Sequence, residues 1–169
     1  VIRMEQRSLL KALNQMMEET HFPCEWWLAY QEGDAYLVLT LQFHLANPEK
    51  IGWRDPFGTV SHQAALPYEV QVIYYQPGQV EIYPANVLKA FPVDSRYGLA
   101  AGDLLTCVKY LKRLAVSARS QWEDYLLGSQ DQPFGLEWRD DAFNEVKDSL
   151  QSSARYSDLP VYFPHDISD

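Results

Sequence analysis

Between Gly98 and Gly128 the chain carries Leu104, Val108, Leu111, Ala115, Ala118, Trp122 and Tyr125 at alternating steps of four and three, with no proline among them. That spacing lays one apolar stripe along a helix. A helix of this length reaches roughly 40 Å, about the width of a small domain, so the other elements must be arranged around it. Leu105, Leu114 and Leu126 widen the stripe, which predicts that it packs on a sheet rather than on a single helix. Gly128 is placed to end the helix in a left-handed cap.

The segments before this helix alternate with period two. Leu37, Leu39, Leu41, Phe43 and Leu45 occupy every odd position, with Val38, Thr40, Gln42 and His44 between them. This is a strand with one face on the core, as in an antiparallel sheet. Ahead of it, Trp26, Leu28 and Tyr30 alternate with Trp27 and Ala29, and Gln31-Glu32-Gly33-Asp34 supplies a hairpin turn. Tyr68, Val70, Val72 and Tyr74 resume the alternation, and Gln76-Pro77-Gly78-Gln79 suits a type II turn. Val80 and Ile82 form the returning strand, stopped by Pro84. Pro84 to Phe91 fits a helical segment ended by Pro92.

An amphipathic helix over residues 3–20 carries Leu9, Leu13, Met16 and Met17, and His21-Phe22-Pro23 closes it. Beyond Gly128, Phe134 to Trp138 reads as a short added strand. Asp140 or Asp141 caps a final helix bearing Phe143, Val146 and Leu150. The segment 152–169 is too apolar for a solvated tail and is expected to lie extended along the body, with its last residues frayed. The fold class is therefore α+β: an antiparallel sheet of at least four strands from two hairpins, packed on a long amphipathic helix, with N-terminal and C-terminal helices. The 169 residues form a single domain.

Charge narrows the partners. Fourteen basic against 23 acidic residues give a net charge of −9, which disfavours nucleic acid and anionic membrane surfaces and is compatible with a basic protein partner. Cys24 and Cys107 are the only cysteines. Without a visible secretory segment or an apolar run of spanning length, they read as free thiols of a cytoplasmic protein. The sequence opens on Val1, so a few native residues are expected before it. Five tryptophans, eleven tyrosines and seven phenylalanines leave two destinations, the core and a binding surface.

Chemistry-bearing motifs are sparse. His21, His44, His62 and His165 lack metal-site spacing, and neither a nucleophile elbow nor a phosphate or dinucleotide loop occurs, so no metal and no cofactor is expected. The nearest reactive set is His44 on the polar strand face with Asp55 and His62 in the following loop, a carboxylate able to orient an imidazole for acid–base work. Lys109, Lys112, Arg113 and Arg119 make the middle of the long helix basic; they form either a docking patch or its solvated face.

Phe134-Gly135-Leu136-Glu137-Trp138, followed by Ala142-Phe143, resembles an uncharacterised family of small cytoplasmic proteins from Gram-positive Firmicutes, the domain of unknown function family 3013. The order of parts is similar too, including Phe91-Pro92 before the long helix. The resemblance implies a soluble bacterial domain and assigns no catalytic residue. At the level of architecture the chain is also similar to type III secretion chaperone-like folds, which implies binding of protein segments and a possible homodimer.

Two function classes follow. One is a non-enzymatic protein-interaction module, chaperone-like in its narrower form, with a protein or peptide partner. The other is an enzyme with a dispersed acid/base site on the open sheet face and the 46–67 loop. That loop keeps Ile51, Trp53, Phe57 and Val60 among prolines, glycines and polar groups, and Trp53 and Phe57 either anchor it or present an adhesive surface. Replacing residues 49–64 by a short glycine-serine linker separates these. Preserved thermal stability with lost partner capture is expected for a binding loop, and a large fall in stability means anchoring.

Overall fold

The computed structural model describes residues 7–31, 36–47, 53–54, 60–61, 65–78, 86–128 and 131–164. In chain order the elements are α1 (Leu9–Thr20), β1 (Glu25–Gln31), β2 (Tyr36–Ala46), β3 (Trp53–Arg54), β4 (Val60–Ser61), β5 (Ala65–Tyr75), β6 (Val87–Pro92), β7 (Leu99–Ala100), α2 (Ala101–Leu127), α3 (Asp140–Ser152) and β8 (Pro160–Val161). The main sheet has the order β1-β2-β5-β6. Its β1–β2 and β2–β5 pairs are antiparallel and β5–β6 is parallel. β3 pairs with β4, and β7 with β8. The class is α+β.

The stripe of α2 is buried from Leu104 to Trp122, and Tyr125 is half-buried at its end. It packs with Leu9, Leu13 and Met17 of α1 against one face of the sheet, where Leu37 to Leu45 of β2 and Leu66 to Tyr74 of β5 present alternate apolar side chains. Period two and period 3.6 thus meet in one core, as the patterns require. On its other side, α2 offers Tyr110 to Val146 and Leu150 of α3.

Several local expectations are corrected. Residues 87–92 are a strand, not a helix: β6 runs parallel to β5 and stacks Phe91 on Tyr74 at 5.4 Å. Val87, Leu88 and Phe91 have helical spacing, but over so short a run pairing with β5 at the sheet edge overrides it. The returning strand at Val80 and Ile82 lies outside the described residues. Residues 134–138 form no strand. Gly128 ends α2 in an extended conformation (φ −94°, ψ −170°), its N–H bonded to Asp124 O and Tyr125 O, so no left-handed cap forms. Arg139, not an aspartate, is the N-cap of α3; Asp140 and Asp141 stand in the first turn, where their charge complements the helix dipole. The first helix begins at Leu9, after Ser8, whose hydroxyl accepts from Lys11 N at 3.3 Å.

Residues 157–162 run against the starts of α2 and α1; residues 165–169 of the expected tail lie outside the described residues. Ala100 gives α2 no side-chain cap. Instead the first N–H groups of α2 donate to the tail: Ala101 N to Leu159 O at 2.8 Å and Gly102 N to Ser157 O at 2.7 Å. Tyr162 then joins the start of α1, through Leu9 N to Tyr162 O and Tyr162 N to Arg7 O. Two glycines make the close approach possible. Gly98 sits at φ +69°, and a Cβ there would lie 2.5 Å from Val161 O. A Cβ on Gly102 would lie 2.4 Å from the Tyr156 ring. That ring cannot simply swing away, because its hydroxyl donates to Asp103 Oδ1 at 2.8 Å, and Lys147 both pairs with Asp103 and lies over the ring.

Glycine to alanine inside an unobstructed helix stabilises by up to about 1 kcal/mol. For Gly102→Ala the reverse is expected, a loss of about 1–3 kcal/mol from overpacking against Tyr156. Chemical denaturation measures it, and a raised midpoint would mean that the tail is not seated on α2.

Candidate functional site

Phe22-Pro23 sets the geometry of the site. It follows α1, whose C-cap His21 is left-handed (φ 55°), and it precedes β1. β1 has seven residues and β2 has eleven. Their register places Glu25 opposite Gln42, so a longer β1 would put Cys24 opposite Phe43 and Pro23 opposite His44. Proline has no N–H to donate, and β1 begins only after it. The last four residues of β2, Phe43 to Ala46, therefore pair with β5 on one side and with no β1 residue on the other.

Beside that edge, which no strand among the described residues pairs, lies a groove of about 970 Å³. One wall is the β2 edge, Phe43 to Ala46; a second is the 22–25 link; the third is α2, with Ala115, Val116, Trp122 and Leu126. Its floor is apolar. Trp122 fixes its depth, donating from Nε1 to Ala46 O at 2.6 Å and stacking on Tyr125. Charged groups stand on the rim. Arg119 Nε lies 3.2 Å from Glu123 one turn on, and His44 Nε2 lies 3.8 Å from Glu25, both of these side chains well exposed.

Cys24 also lines the groove. Burial pushes its thiol up to about 11, with Glu25 adding to the rise and Lys112 opposing it. The thiol is thus protonated near neutral pH and a poor nucleophile. Cys107 is fully buried in the core beside Tyr74, and burial pushes it up to about 12. Both cysteines are free.

The outer sheet face carries rungs of polar groups. Gln42 Nε2 donates to Glu69 Oε1 at 2.9 Å, and Gln71 Nε2 to Thr40 Oγ1 at 3.4 Å. Of the acid–base trio, His44 stands at the groove rim, while Asp55 and His62 lie outside the described residues. So does Phe57; Trp53 contributes backbone to β3. The basic cluster on α2 is divided in its work. Lys112 Nζ donates to Thr20 O and His21 O and caps the C-terminus of α1. Arg113 is exposed and lines a second groove, of about 990 Å³, between α2 and residues 131–139; Lys109 is half-buried. Arg119 belongs to the first groove.

That second groove is bounded by a clasp. Phe134 packs edge-on against Tyr68, Trp122 and Tyr125, and Trp138 packs with Phe91, Tyr110 and Phe143. Tyrosine hydroxyls replace a strand partner between them. Leu136 N donates to Tyr68 Oη at 3.0 Å, Arg139 N to Tyr110 Oη at 2.8 Å, and Tyr125 Oη to Gln132 O at 2.8 Å. Sequence reasoning missed the groove's Cys24, Glu25 and free β2 edge, although Pro23 and the unequal strand lengths signal them. Among the described residues no three His, Cys, Asp or Glu side chains gather as a metal-holding group, and no helix is long and apolar enough to cross a membrane.

A family model described as protein of unknown function (DUF3013) matches residues 4–164. A crystal structure of a conserved protein of unknown function from Enterococcus faecalis is similar, with a TM-score of 0.79 and 17% identity over 98% of this chain and 100% of that one. At that identity the likeness shows the fold alone. No curated protein matches the chain significantly.

The raised thiols give a pH dependence with a definite sign. The thiolate is the reactive form, so alkylation of Cys24 by iodoacetamide in the native protein should climb about tenfold per pH unit through pH 8–10. It should level off only near 11, with Cys107 slower still. In denaturant both should titrate near the ordinary thiol value, and a native plateau at pH 8–9 would contradict the buried geometry.

Proposed function

We propose that this chain, which belongs to the DUF3013 family, is a non-enzymatic protein-interaction module whose α2–β2 groove holds an apolar segment of another protein. One observation supports the reading above the rest: the groove is lined by apolar side chains that reach solvent, Phe22, Pro23, Val116 and Leu126, over buried Phe43, Leu45, Ala115 and Trp122, and keeps its charges at the rim. Such a division suits a partner that buries side chains and keeps its polar groups at the margin. At the border Arg119 is paired with Glu123, while Glu25 stands near the His44 imidazole. The protonated Cys24 thiol suits packing against a partner better than attack on one.

The connection over residues 47–64 leaves β2 at Ala46, which lines the groove. Trp53 and Phe57 are accordingly proposed to extend the same surface, and Arg113 and Lys109 to lie outside it. The net charge of −9 favours a partner with basic residues around its apolar stretch. A cytoplasmic location, a chaperone-like role and a homodimer are narrower forms of this reading.

A photo-crosslinking amino acid at Val116, exposed on the groove wall, tests it in cells that natively make the protein. Discrete protein adducts are expected from Val116 and not from a control at Ser149, exposed on α3. The same adducts from both positions, or from neither, would overturn the reading.

A further inference from the structure

We infer that the groove is a strand-addition site: a partner's extended segment takes the place that β1 leaves empty beside Phe43 to Ala46 and lengthens the main sheet. This rests on the groove being a protein-binding site and specifies how binding occurs.

The lining residues carry the inference. Phe43, His44, Leu45 and Ala46 all line the groove, although neighbouring side chains of a strand point to opposite faces. A groove that meets four consecutive residues meets the strand edge-on. Along such an edge every second residue directs its N–H and C=O outward, and these groups require hydrogen-bond partners. On the opposite edge β5 supplies them, from Ala65 to Tyr68. Toward the groove, Trp122 Nε1 reaches Ala46 O. Among the described residues no strand pairs with this edge of Phe43 to Ala46. A small molecule or a helix cannot offer donors and acceptors at strand spacing, and an extended peptide can. Four residues of strand span about 13 Å.

The same geometry fixes the partner's character. Seated in line with β1, it directs alternate side chains under α2, toward Phe43, Leu45, Trp122 and Leu126, and the others toward the outer face beside His44 and Glu25. Alternate apolar residues therefore suit it. Glu25 on the rim, and the chain's charge of −9, favour basic flanks. The occupant is a short extended segment of a partner protein, apolar at every second residue and basic at its ends.

The test uses a synthetic heptapeptide with valine and threonine alternating between terminal lysines, added to the full chain. Three partners are compared by fluorescence anisotropy: this peptide, the same peptide N-methylated on alternate backbone nitrogens, and a version with terminal glutamates. Backbone amide hydrogen exchange of the protein is followed in parallel. Strand addition predicts slowed exchange at alternate residues within Phe43 to Ala46, and binding about tenfold or more weaker for the N-methylated peptide. The glutamate version should also bind more weakly. Equal binding of the parent and N-methylated peptides would overturn strand addition while leaving the groove a protein-binding site. Absent binding up to roughly 1 mM, or protection elsewhere than at the β2 edge, would overturn it as well. The Val116 crosslinks judge the broader reading separately.

Discussion

The main-chain groups at the ends of the elements are what α2 organises. A helix leaves N–H groups at its start and carbonyls at its end without internal partners, and burying them unpaired is costly. Here those debts are met across elements. The tail's Leu159 and Ser157 carbonyls accept from the start of α2, and Lys112 of α2 donates to the last carbonyls of α1. Trp122 of α2 donates to Ala46 O at the end of β2. Position along one rigid 27-residue helix thereby fixes where the tail, α1 and the sheet can sit. The groove between Trp122 and the β2 edge follows from those placements.

The aromatic surplus has a similar role. Phe134 and Trp138 enter separate aromatic clusters on either side of the 134–139 segment, and Tyr68 and Tyr110 accept its N–H groups at Leu136 and Arg139. Tyrosine suits this place, since its ring fills the core and its hydroxyl answers a backbone group that no strand reaches. The Phe-Gly-Leu-Glu-Trp segment is thus a structural clasp joining α2, β5 and α3. Burial raises Tyr68 above its ordinary value, with the bond from Leu136 opposing, as expected of a hydroxyl held in a mostly apolar shell.

Much of this was legible in the residues. The stripe from Leu104 to Tyr125 and the alternation from Leu37 to Leu45 are long enough for periodicity to decide, and both have the expected inward faces. The family was legible too, in the Phe134–Trp138 motif. Residues 87–92 were not, because six residues carry too little period to tell strand from helix without the neighbouring strand. Gly128 marked the helix end correctly but not its conformation, since a helix can also end by bonding its last N–H back to Asp124 and Tyr125. The functional candidates were hardest. Lys112 reads as a surface cation in sequence, and only the fold shows that it faces the end of α1. Asp55, Phe57 and His62 fall in the loop beyond the described residues, so the acid–base trio stays an expectation about His44 alone.

A free strand edge invites unwanted pairing, and proteins that keep one restrict it. The β2 edge is restricted in three ways. It is short, because Pro23 removes only the last four pairing positions. It is recessed, because α2 and the 22–25 link wall it on both sides. Its rim carries charge, from Glu25 on β1 to Arg119 and Glu123 on α2. A wall on each side, α2 and the 22–25 link, opposes the approach of another molecule's flat sheet more than that of a single extended chain. Recess and rim thus select against edge-to-edge association while leaving the edge open to one strand, which is the discrimination a specific peptide site requires.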